Sequence, residues 1–255
     1  MKTCVLASGS KGNCTFVSSL STNILIDLGT SCLYAEKRLK EINVDPSSIN
    51  AIILTHTHVD HTSGIKVFMK KYPVKLYLTK KMLNELNALF PVDNYQIIED
   101  DFQIQDITVK IIKTSHDTED SNGYILESEN KSVVYVTDTG YLNKKGLDRL
   151  KNRTVYVFES NHDVKMLMEG HYPYHIKQRI LGDRGHLSNV DSAYYLSKII
   201  GKDTKKIYLA HISQDNNTPL LALQTVKQKL KEENIPFDNI DIATQNERTE
   251  LLEVW

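Results

Sequence analysis

Residues 53–61 read ILTHTHVDH, an apolar run that passes directly into histidine and aspartate. Side chains alternate in an extended segment, so His56 and His58 point the same way and can bind one metal ion. Asp60 and His61 follow where we expect the chain to turn into a helix, and they can face a second ion. Imidazole and carboxylate together suit zinc, manganese or iron. The stretch therefore predicts the edge of a metal centre rather than a polar surface loop.

Four ligands cannot complete two metal sites, so further histidines or aspartates are expected at the ends of other strands. Three predicted apolar strands are followed by such a residue: Ile107–Ile112 by His116, Val133–Val136 by Asp138, and Ile207–Leu209 by His211. A fourth, Ile24–Leu28, carries Asp27 just before Gly29. Any one of these alone would more often serve a turn or a helix cap. Their recurrence at strand ends favours one shared centre.

Composition limits the class of protein. The chain has 255 residues, of which 40% are hydrophobic and 25% charged, as in ordinary globular proteins. No repeat or linker interrupts it, so we expect a single domain over residues 1–255. Its cysteines, Cys4, Cys14 and Cys32, form no CxxC pair, which predicts reduced thiols in the core or in loops.

The charge balance excludes some modes of binding. Lys and Arg number 31 against 32 Asp and Glu, so a net charge of −1 gives no long-range attraction for nucleic acid or an anionic membrane. Any polyanion must be held by local contacts. The N-terminal residues lack the continuous apolar stretch of a signal peptide, and no later run is long enough to span a membrane. We therefore expect a cytoplasmic protein with no membrane partner.

The order of predicted elements indicates an α+β fold. Predicted strands, besides the four above, are Thr3–Leu6, Thr15–Val17, Ala51–Leu54, Leu76–Leu78, Gln96–Ile98, Tyr124–Glu127, Val155–Phe158 and Ile240–Ile242, with a turn at Asn130–Lys131. Predicted helices are Cys32–Glu41, Ser63–Lys71, one capped by Thr79 that ends before Pro91, Asp163–Glu169, His175–Leu181, Asp191–Ile200 and Leu220–Glu233. Meandering strands with interspersed helices fit a two-sheet core with helices outside.

The HTHVDH array with His116, Asp138 and His211, preceded by Asp27-Leu28-Gly29, resembles the metallo-β-lactamase superfamily. Within it, three segments are similar to the YycJ/WalJ type, small stand-alone members regarded as metal-dependent 5′→3′ DNA exonucleases. These segments are LASGSKGNCTFV at 6–17, ESNHD at 159–163 and GHLSN at 185–189. The resemblance implies a four-layered αβ/βα sandwich with metals at the sheet edge. The stretch between Asp138 and His211 is too short for the large β-CASP insertion of related nucleases.

The resemblance also implies a set of ligands for two divalent ions, zinc or manganese, with iron as a further choice. One ion would be held by His56, His58 and His116, the other by Asp60, His61 and His211. Asp138 would bridge both, and Asp27 would orient the ligand loop. The array also lacks the glutamate-for-histidine variant of the diiron flavoprotein oxygen reductases. That difference favours hydrolysis over redox chemistry.

These ligands imply a two-metal phosphodiesterase acting on DNA from a 5′ end, in which a hydroxide bridging the ions attacks the phosphodiester. Asp60 would then serve catalysis as a ligand. His186 is the leading candidate for phosphate contact or general acid, and His162, beside Glu159, is the second through a carboxylate–histidine relay. The glycine-bearing turn at 9–13 could offer backbone N–H groups to a phosphate.

Other interpretations stay open. The same metal core serves hydrolases of small thioesters, lactones or cyclic phosphodiesters, and fold does not decide between these substrates. A non-catalytic nucleic-acid-binding scaffold is a third interpretation, which the intact ligand set disfavours. Tyr172 and Tyr174, with His171 and His175, are expected to be surface or packing residues, although a tyrosine-rich loop could also stack a base.

Overall fold

Two seven-stranded sheets build the protein, as seen in a computed structural model that describes residues 1–254. The first sheet contains β1 (Lys2–Ala7), β2 (Cys14–Ser18), β3 (Asn23–Ile26), β4 (Ala51–Ile53), β5 (Lys75–Leu78), β6 (Tyr95–Ile97) and β14 (Leu252–Glu253). The second contains β7 (Phe102–Ile104), β8 (Ile107–Lys113), β9 (Asn122–Ser128), β10 (Lys131–Val136), β11 (Val155–Glu159), β12 (Lys206–Ala210) and β13 (Ile240–Ile242).

Nine α-helices connect the strands within the described residues. They are α1 (Cys32–Glu41), α2 (Val59–Thr62), α3 (Ile65–Lys71), α4 (Lys80–Asn87), α5 (Lys144–Leu150), α6 (Val164–Glu169), α7 (Tyr174–Leu181), α8 (Asn189–Ile199) and α9 (Pro219–Glu232). None of these helices is long and apolar enough to cross a membrane.

Strand direction brings the strand ends that lead to the candidate site residues to one edge of each sheet. In the first sheet β3, β4, β5 and β6 run parallel, and in the second β10, β11, β12 and β13 do so. β8 and β10 each pair antiparallel with β9, so they also share a direction. The carboxyl ends of β3 and β4 thus lie at one edge of their sheet, and those of β8, β10, β11 and β12 at one edge of the other.

The core consists of three clusters of buried apolar side chains. Between the sheets, Val17 and Ile53 of the first sheet belong to the same buried cluster as Tyr135 and Val157 of the second. Outside the first sheet, Phe16 and Leu25 pack with side chains of α1, α3 and α4. On the outer face of the second sheet, α5, α8 and α9 supply apolar side chains to another cluster. The layers therefore run helix, sheet, sheet, helix, as the resemblance implies.

Local sequence signals placed most elements correctly. The helix at Cys32–Glu41 has the predicted bounds, and the Thr79 side chain accepts a hydrogen bond from the Met82 N–H, which confirms the predicted cap. The turn predicted at Asn130–Lys131 lies one residue earlier, because Glu129 and Asn130 adopt the left-handed backbone with φ of 50° and 63°. The prediction did not include β7, β14 or α5. It expected a turn into one helix that starts at Ser63, whereas the chain forms the short α2 before α3.

All three thiols are buried and unpaired. Burial raises the pKa of Cys4 and Cys32 to about 11 and lifts that of Cys14 further. Because the thiolate is the reactive form, we expect no thiol of the native protein to react promptly with a chromogenic disulfide reagent in mildly alkaline solution. After denaturation all three should react. Rapid reaction of any thiol in the native state would contradict this.

Candidate metal centre

Seven predicted ligands meet where the strand ends of the two sheets converge. They fall into overlapping groups: His56, His58 and His116; Asp60, His61 and His211; and His56, His61 and Asp138. Within each group the candidate nitrogen and oxygen atoms lie within 4.8 Å of one another. The long-range pairing of strands, rather than chain proximity, thus assembles the set that the sequence predicts.

The first group has the geometry of ligands that share one ion. His56 Nε2 and His58 Nδ1 are 3.2 Å apart, with the His116 ring centroid 5.0 Å from those of both. Two nitrogens bound tetrahedrally at zinc distances would be about 3.3 Å apart. β4 ends at Ile53, and the segment that follows it places His56 in the interior while His58 stays partly exposed. The alternation predicted for these two histidines is consistent with this arrangement.

The second group begins where the chain enters α2, which starts at Val59. Asp60 Oδ2 lies 3.5 Å from His61 Nε2 and 3.7 Å from His211 Nε2. The turn into the helix was expected from the sequence. It directs Asp60 and His61 toward the strand end that carries His211, so these three residues could hold a second ion.

Asp138 stands between the two groups. Its Oδ2 is 3.2 Å from His61 Nε2, and its Oδ1 is 3.8 Å from His116 Nε2 and 3.4 Å from His211 Nδ1. Burial opposes ionisation, but His211 and His61 hold the pKa of this carboxyl well below its usual value. An ionised carboxylate at this position could bind two cations at once.

The donor atoms also pass a test of fit for a cation. His211 Nε2 is buried and has no hydrogen-bond partner within residues 1–254. The Asp60 oxygen beside it is 3.7 Å away, beyond hydrogen-bond reach. Buried polar atoms are normally paired, so a lone imidazole nitrogen that faces a cluster of carboxylates fits a metal ligand. The residues present therefore suit divalent ions.

Asp27 contacts the loop that carries the candidate ligands, in keeping with the orienting role that the resemblance implies. Its carboxylate accepts hydrogen bonds from the Thr55 N–H and hydroxyl, both at 2.8 Å, and lies 2.7 Å from His61 Nδ1. Fixing Nδ1 in this way leaves Nε2 of His61 to face the centre. Asp27, Asp138 and His211 all adopt left-handed backbone, with φ of 59°, 56° and 56°. Non-glycine residues rarely do so, and such strain concentrates at functional sites.

Comparison with known proteins identifies the family. The sequence profile of the β-lactamase superfamily domain matches residues 22–212. The chain belongs to the metallo-β-lactamase superfamily. It is 38% identical to the exodeoxyribonuclease YycJ of Bacillus anthracis over 89% of this chain and 88% of the relative. With the exodeoxyribonuclease WalJ of Streptococcus pneumoniae it shares 37% identity over 91% and 88%.

Solved structures confirm the superfamily fold. The metallo-β-lactamase fold protein YhfI from Bacillus subtilis superposes with a TM-score of 0.73 at 14% identity, covering 97% of this chain and 98% of that one. Zn²⁺-bound PqqB from Methylobacterium extorquens gives the same TM-score at 15% identity, covering 98% and 100%. At such identities the likeness bears on the fold alone, and it agrees with the four-layered sandwich.

His186, the leading candidate outside the predicted ligands, lies beside them in the candidate metal centre. Its Nδ1 is 2.9 Å from Glu159 Oε1 and 3.7 Å from Asp138 Oδ1. Its ring centroid lies 5.0 Å from that of His116 and 5.2 Å from that of His211. The side chain keeps 15% of its surface exposed, so this imidazole can meet a molecule that approaches from solvent.

His162 takes a different place from the one predicted. It is buried, neither ring nitrogen has a hydrogen-bond partner in the described chain, and burial lowers its pKa to about 4. Its backbone rather than its ring bonds to the neighbouring segment, since its carbonyl accepts a hydrogen bond from the Asn189 N–H at 2.8 Å. Glu159 bonds to His186 and not to His162, so the carboxylate–histidine pair that the predicted relay requires is made with the other histidine.

Glu159 is the important residue whose partners the sequence did not reveal. Its Oε1 lies 2.9 Å from both His186 Nδ1 and His211 Nδ1, and its Oε2 accepts the backbone N–H groups of Thr139 and Leu187. Burial opposes its ionisation, but His186 and His211 lower the pKa of Glu159 to about 2. Its position at the end of β11 repeats the strand-end pattern of the ligands, which was the available signal.

The glycine-bearing turn lies against the centre through Asn13. The amide Nδ2 of this buried residue is 3.0 Å from His61 Nε2 and 3.3 Å from Asp60 Oδ2. Gly12 has φ of 152°, and a Cβ there would lie 2.9 Å from the carbonyl oxygen of Gly29. The turn thus needs glycine so that Asn13 can approach the ligand loop.

Proposed function

We propose that this protein is a two-metal phosphodiesterase that removes nucleotides from the 5′ end of DNA. The observation that carries the proposal is the buried Asp138 carboxylate set between two three-residue ligand groups. Relatives named exodeoxyribonucleases, aligned over most of this chain, support DNA as the substrate. Two bound divalent ions, zinc or manganese, would activate a water and neutralise phosphate charge.

The chain's own residues supply positioning and proton transfer. Glu159 holds Nδ1 of His186 and leaves the other ring nitrogen free to donate to a phosphate oxygen or to the leaving 3′ oxygen. The same carboxylate fixes His211, so one group sets the orientation of a ligand and of the candidate acid. Lys11, exposed on the glycine-bearing turn, could add a positive charge beside the bound strand.

A nuclease assay with labelled ends tests the proposal. Protein loaded with Mn²⁺ or Zn²⁺ should release nucleotides or short products from the 5′ terminus of a DNA duplex, and a chelator should stop the release. A 3′-labelled strand should shorten from its unlabelled end. If no DNA or RNA loses label in a metal-dependent way, the proposal fails.

A parallel assay addresses hydrolysis of small substrates, which the metal core would also support. Turnover of a glutathione thioester and a lactone should stay far below that of DNA. Efficient thioester or lactone turnover without DNA cleavage would show that the proposed DNA substrate is wrong.

A cytoplasmic location also belongs to the proposal, since three unpaired thiols fit a reducing compartment.

Replacing Glu159 tests the relay. Glu159→Gln removes the negative charge that holds His186 and His211, and we expect kcat/KM on DNA to fall roughly 10- to 100-fold. Glu129→Gln is the matched control, because this exposed residue lies in the β9–β10 turn, away from the end of β10 that leads to Asp138. Steady-state kinetics on DNA measure both variants. Equal rates for the two would contradict the role given to Glu159.

A further inference from the structure

A pair of short helices beside the metal centre has no part in the proposed chemistry. α6 and α7 span residues 164–181, and no residue of α7 is buried. Tyr174, the first residue of α7, leaves 70% of its surface exposed. Only Ile176, Lys177 and Ile180 of this helix are half-buried. The helix therefore contributes little to the core, and its exposed side chains are free to serve another purpose.

Contacts fix this helix pair to both sides of the centre. Arg179 Nε lies 3.3 Å from Asp117 Oδ2. The other oxygen of Asp117 is 3.4 Å from His58 Nε2 and 3.3 Å from His116 Nε2. On the far side, the Tyr172 hydroxyl donates to Asp215, in the loop after His211, at 2.7 Å. Only Asp117 therefore separates the exposed Arg179 of α7 from the candidate ligands His58 and His116.

The segment that contains α7 is rich in aromatic and basic residues. No acidic residue occurs between Glu169 and Asp183, although acidic and basic residues are almost equal in number overall. The segment instead carries the aromatic and basic side chains of His171, Tyr172, Tyr174, His175, Lys177 and Arg179. Lys177 donates to the carbonyls of Met168 and Gly170, so it joins the two helices.

The exposed side chains have the chemistry of a surface for unpaired nucleotides. Arg179 keeps 62% of its side-chain surface exposed despite its ion pair, and His175 lies one helical turn before it on the same face. Exposed Tyr174 is next to this pair in the chain. Proteins that bind single strands combine aromatic rings, which stack on bases, with cations that follow the phosphates.

We propose that α7 receives a single-stranded end of the nucleic-acid substrate and leads it to the metal centre. Tyr174 stacks on a base, and Arg179 contacts a phosphate while it remains near Asp117. This inference rests on the proposed function and adds to it a second contact area outside the ligands. The absence of acidic residues between Glu169 and Asp183 favours a polyanion over a protein partner with a basic surface.

Binding of a fluorescent single-stranded oligonucleotide with hydrolysis-resistant phosphorothioate linkages tests the inference on the metal-loaded protein. Tyr174→Ala should weaken binding roughly tenfold, and Tyr174→Phe, which keeps the ring, should restore it. Arg179→Gln should reduce the slope of log affinity against log salt by about 0.7, the value for one phosphate contact on a single strand. Cleavage of natural DNA should show the Tyr174→Ala loss in KM rather than kcat.

Two control variants lie away from the metal centre. Tyr95, 41% exposed, begins β6, whereas the ligands follow the opposite end of the parallel strand β4. Lys202 is exposed in the loop before β12, whereas His211 follows that strand. Tyr95→Ala and Lys202→Gln should bind the oligonucleotide like wild type. Metal content, measured by elemental analysis, should be equal in all variants.

The outcomes separate this inference from the proposed function. If Tyr174→Ala and Arg179→Gln bind like the two controls, α7 is not the contact surface. If they lose metal together with binding, the helix supports the centre structurally and the inference is also overturned. The proposed function fails by a different result, namely no metal-dependent nucleotide release by the wild-type protein, whatever the α7 variants do to binding.

Discussion

Asp138→Ala is expected to reduce kcat/KM on DNA by more than about a thousandfold, because the carboxylate set between the two ligand groups is lost. Metal content should fall together with activity. The buried His61 and His211 would also lose a neighbouring negative charge, which the structure places 3.2 and 3.4 Å from their ring nitrogens. Steady-state kinetics and elemental analysis of the purified variant measure both effects.

Oligonucleotide binding gives Asp138→Ala a second readout. If α7 provides a separate contact area, the variant should keep most of its affinity for a single strand while cleavage disappears. Asp93→Ala is the matched control, since Asp93 is exposed in the loop before β6 and makes none of the described contacts with the ligand groups. If Asp138→Ala still cleaves DNA at the wild-type rate, the metal-centre assignment is wrong.

Gly29→Ala should be the most disruptive small substitution in the chain. A Cβ at this position would lie 1.6 Å from the carbonyl oxygen of Asp60 and 2.7 Å from the backbone nitrogen of His61. Both are backbone atoms of the ligand loop, so the loop must move. Forced overpacking usually costs about 1–3 kcal/mol, and a contact this close should reach at least the upper end. Urea unfolding of the metal-free protein measures the loss, and metal content should fall as well.

Gly146→Ala offers the matched control for that substitution. A Cβ at Gly146, inside α5, would meet its nearest neighbours at 3.5 Å, which is ordinary contact. Alanine is the better helix former, so stability should rise by about 0.5–1 kcal/mol. Similar unfolding free energies for the Gly29 and Gly146 variants would show that the ligand loop adapts to the extra atom, contrary to our expectation.

The residues that meet at the candidate metal centre were predictable because their signals are local. Apolar runs that end in histidine or aspartate mark strand ends, and the alternation of an extended chain explains why His56 and His58 share one group. The Thr79 cap and the bounds of α1 follow from equally local rules. Each of these features depends on a few consecutive residues, so no knowledge of the tertiary fold was needed to find them.

Other features depend on contacts between distant segments. Glu159 precedes His162 by three residues, yet its partners are His186 and His211, which reach it through the loop before α8 and the pairing of β11 with β12. Sequence proximity therefore selected the wrong histidine as the partner of Glu159. α5 was not predicted because Gly146 interrupts a short, highly charged segment whose apolar residues find their partners only in the folded second sheet.

The distribution of ligands between the two sheets has a consequence for how the centre forms. His56, His58, Asp60 and His61 follow a strand of the first sheet, while His116, Asp138 and His211 follow strands of the second. Each group proposed to hold an ion draws on both, so bound ions would tie the two halves together like a cross-link. A growing chain cannot complete the centre until His211 has been made and β12 has docked, so nuclease activity would arise only after both sheets have formed.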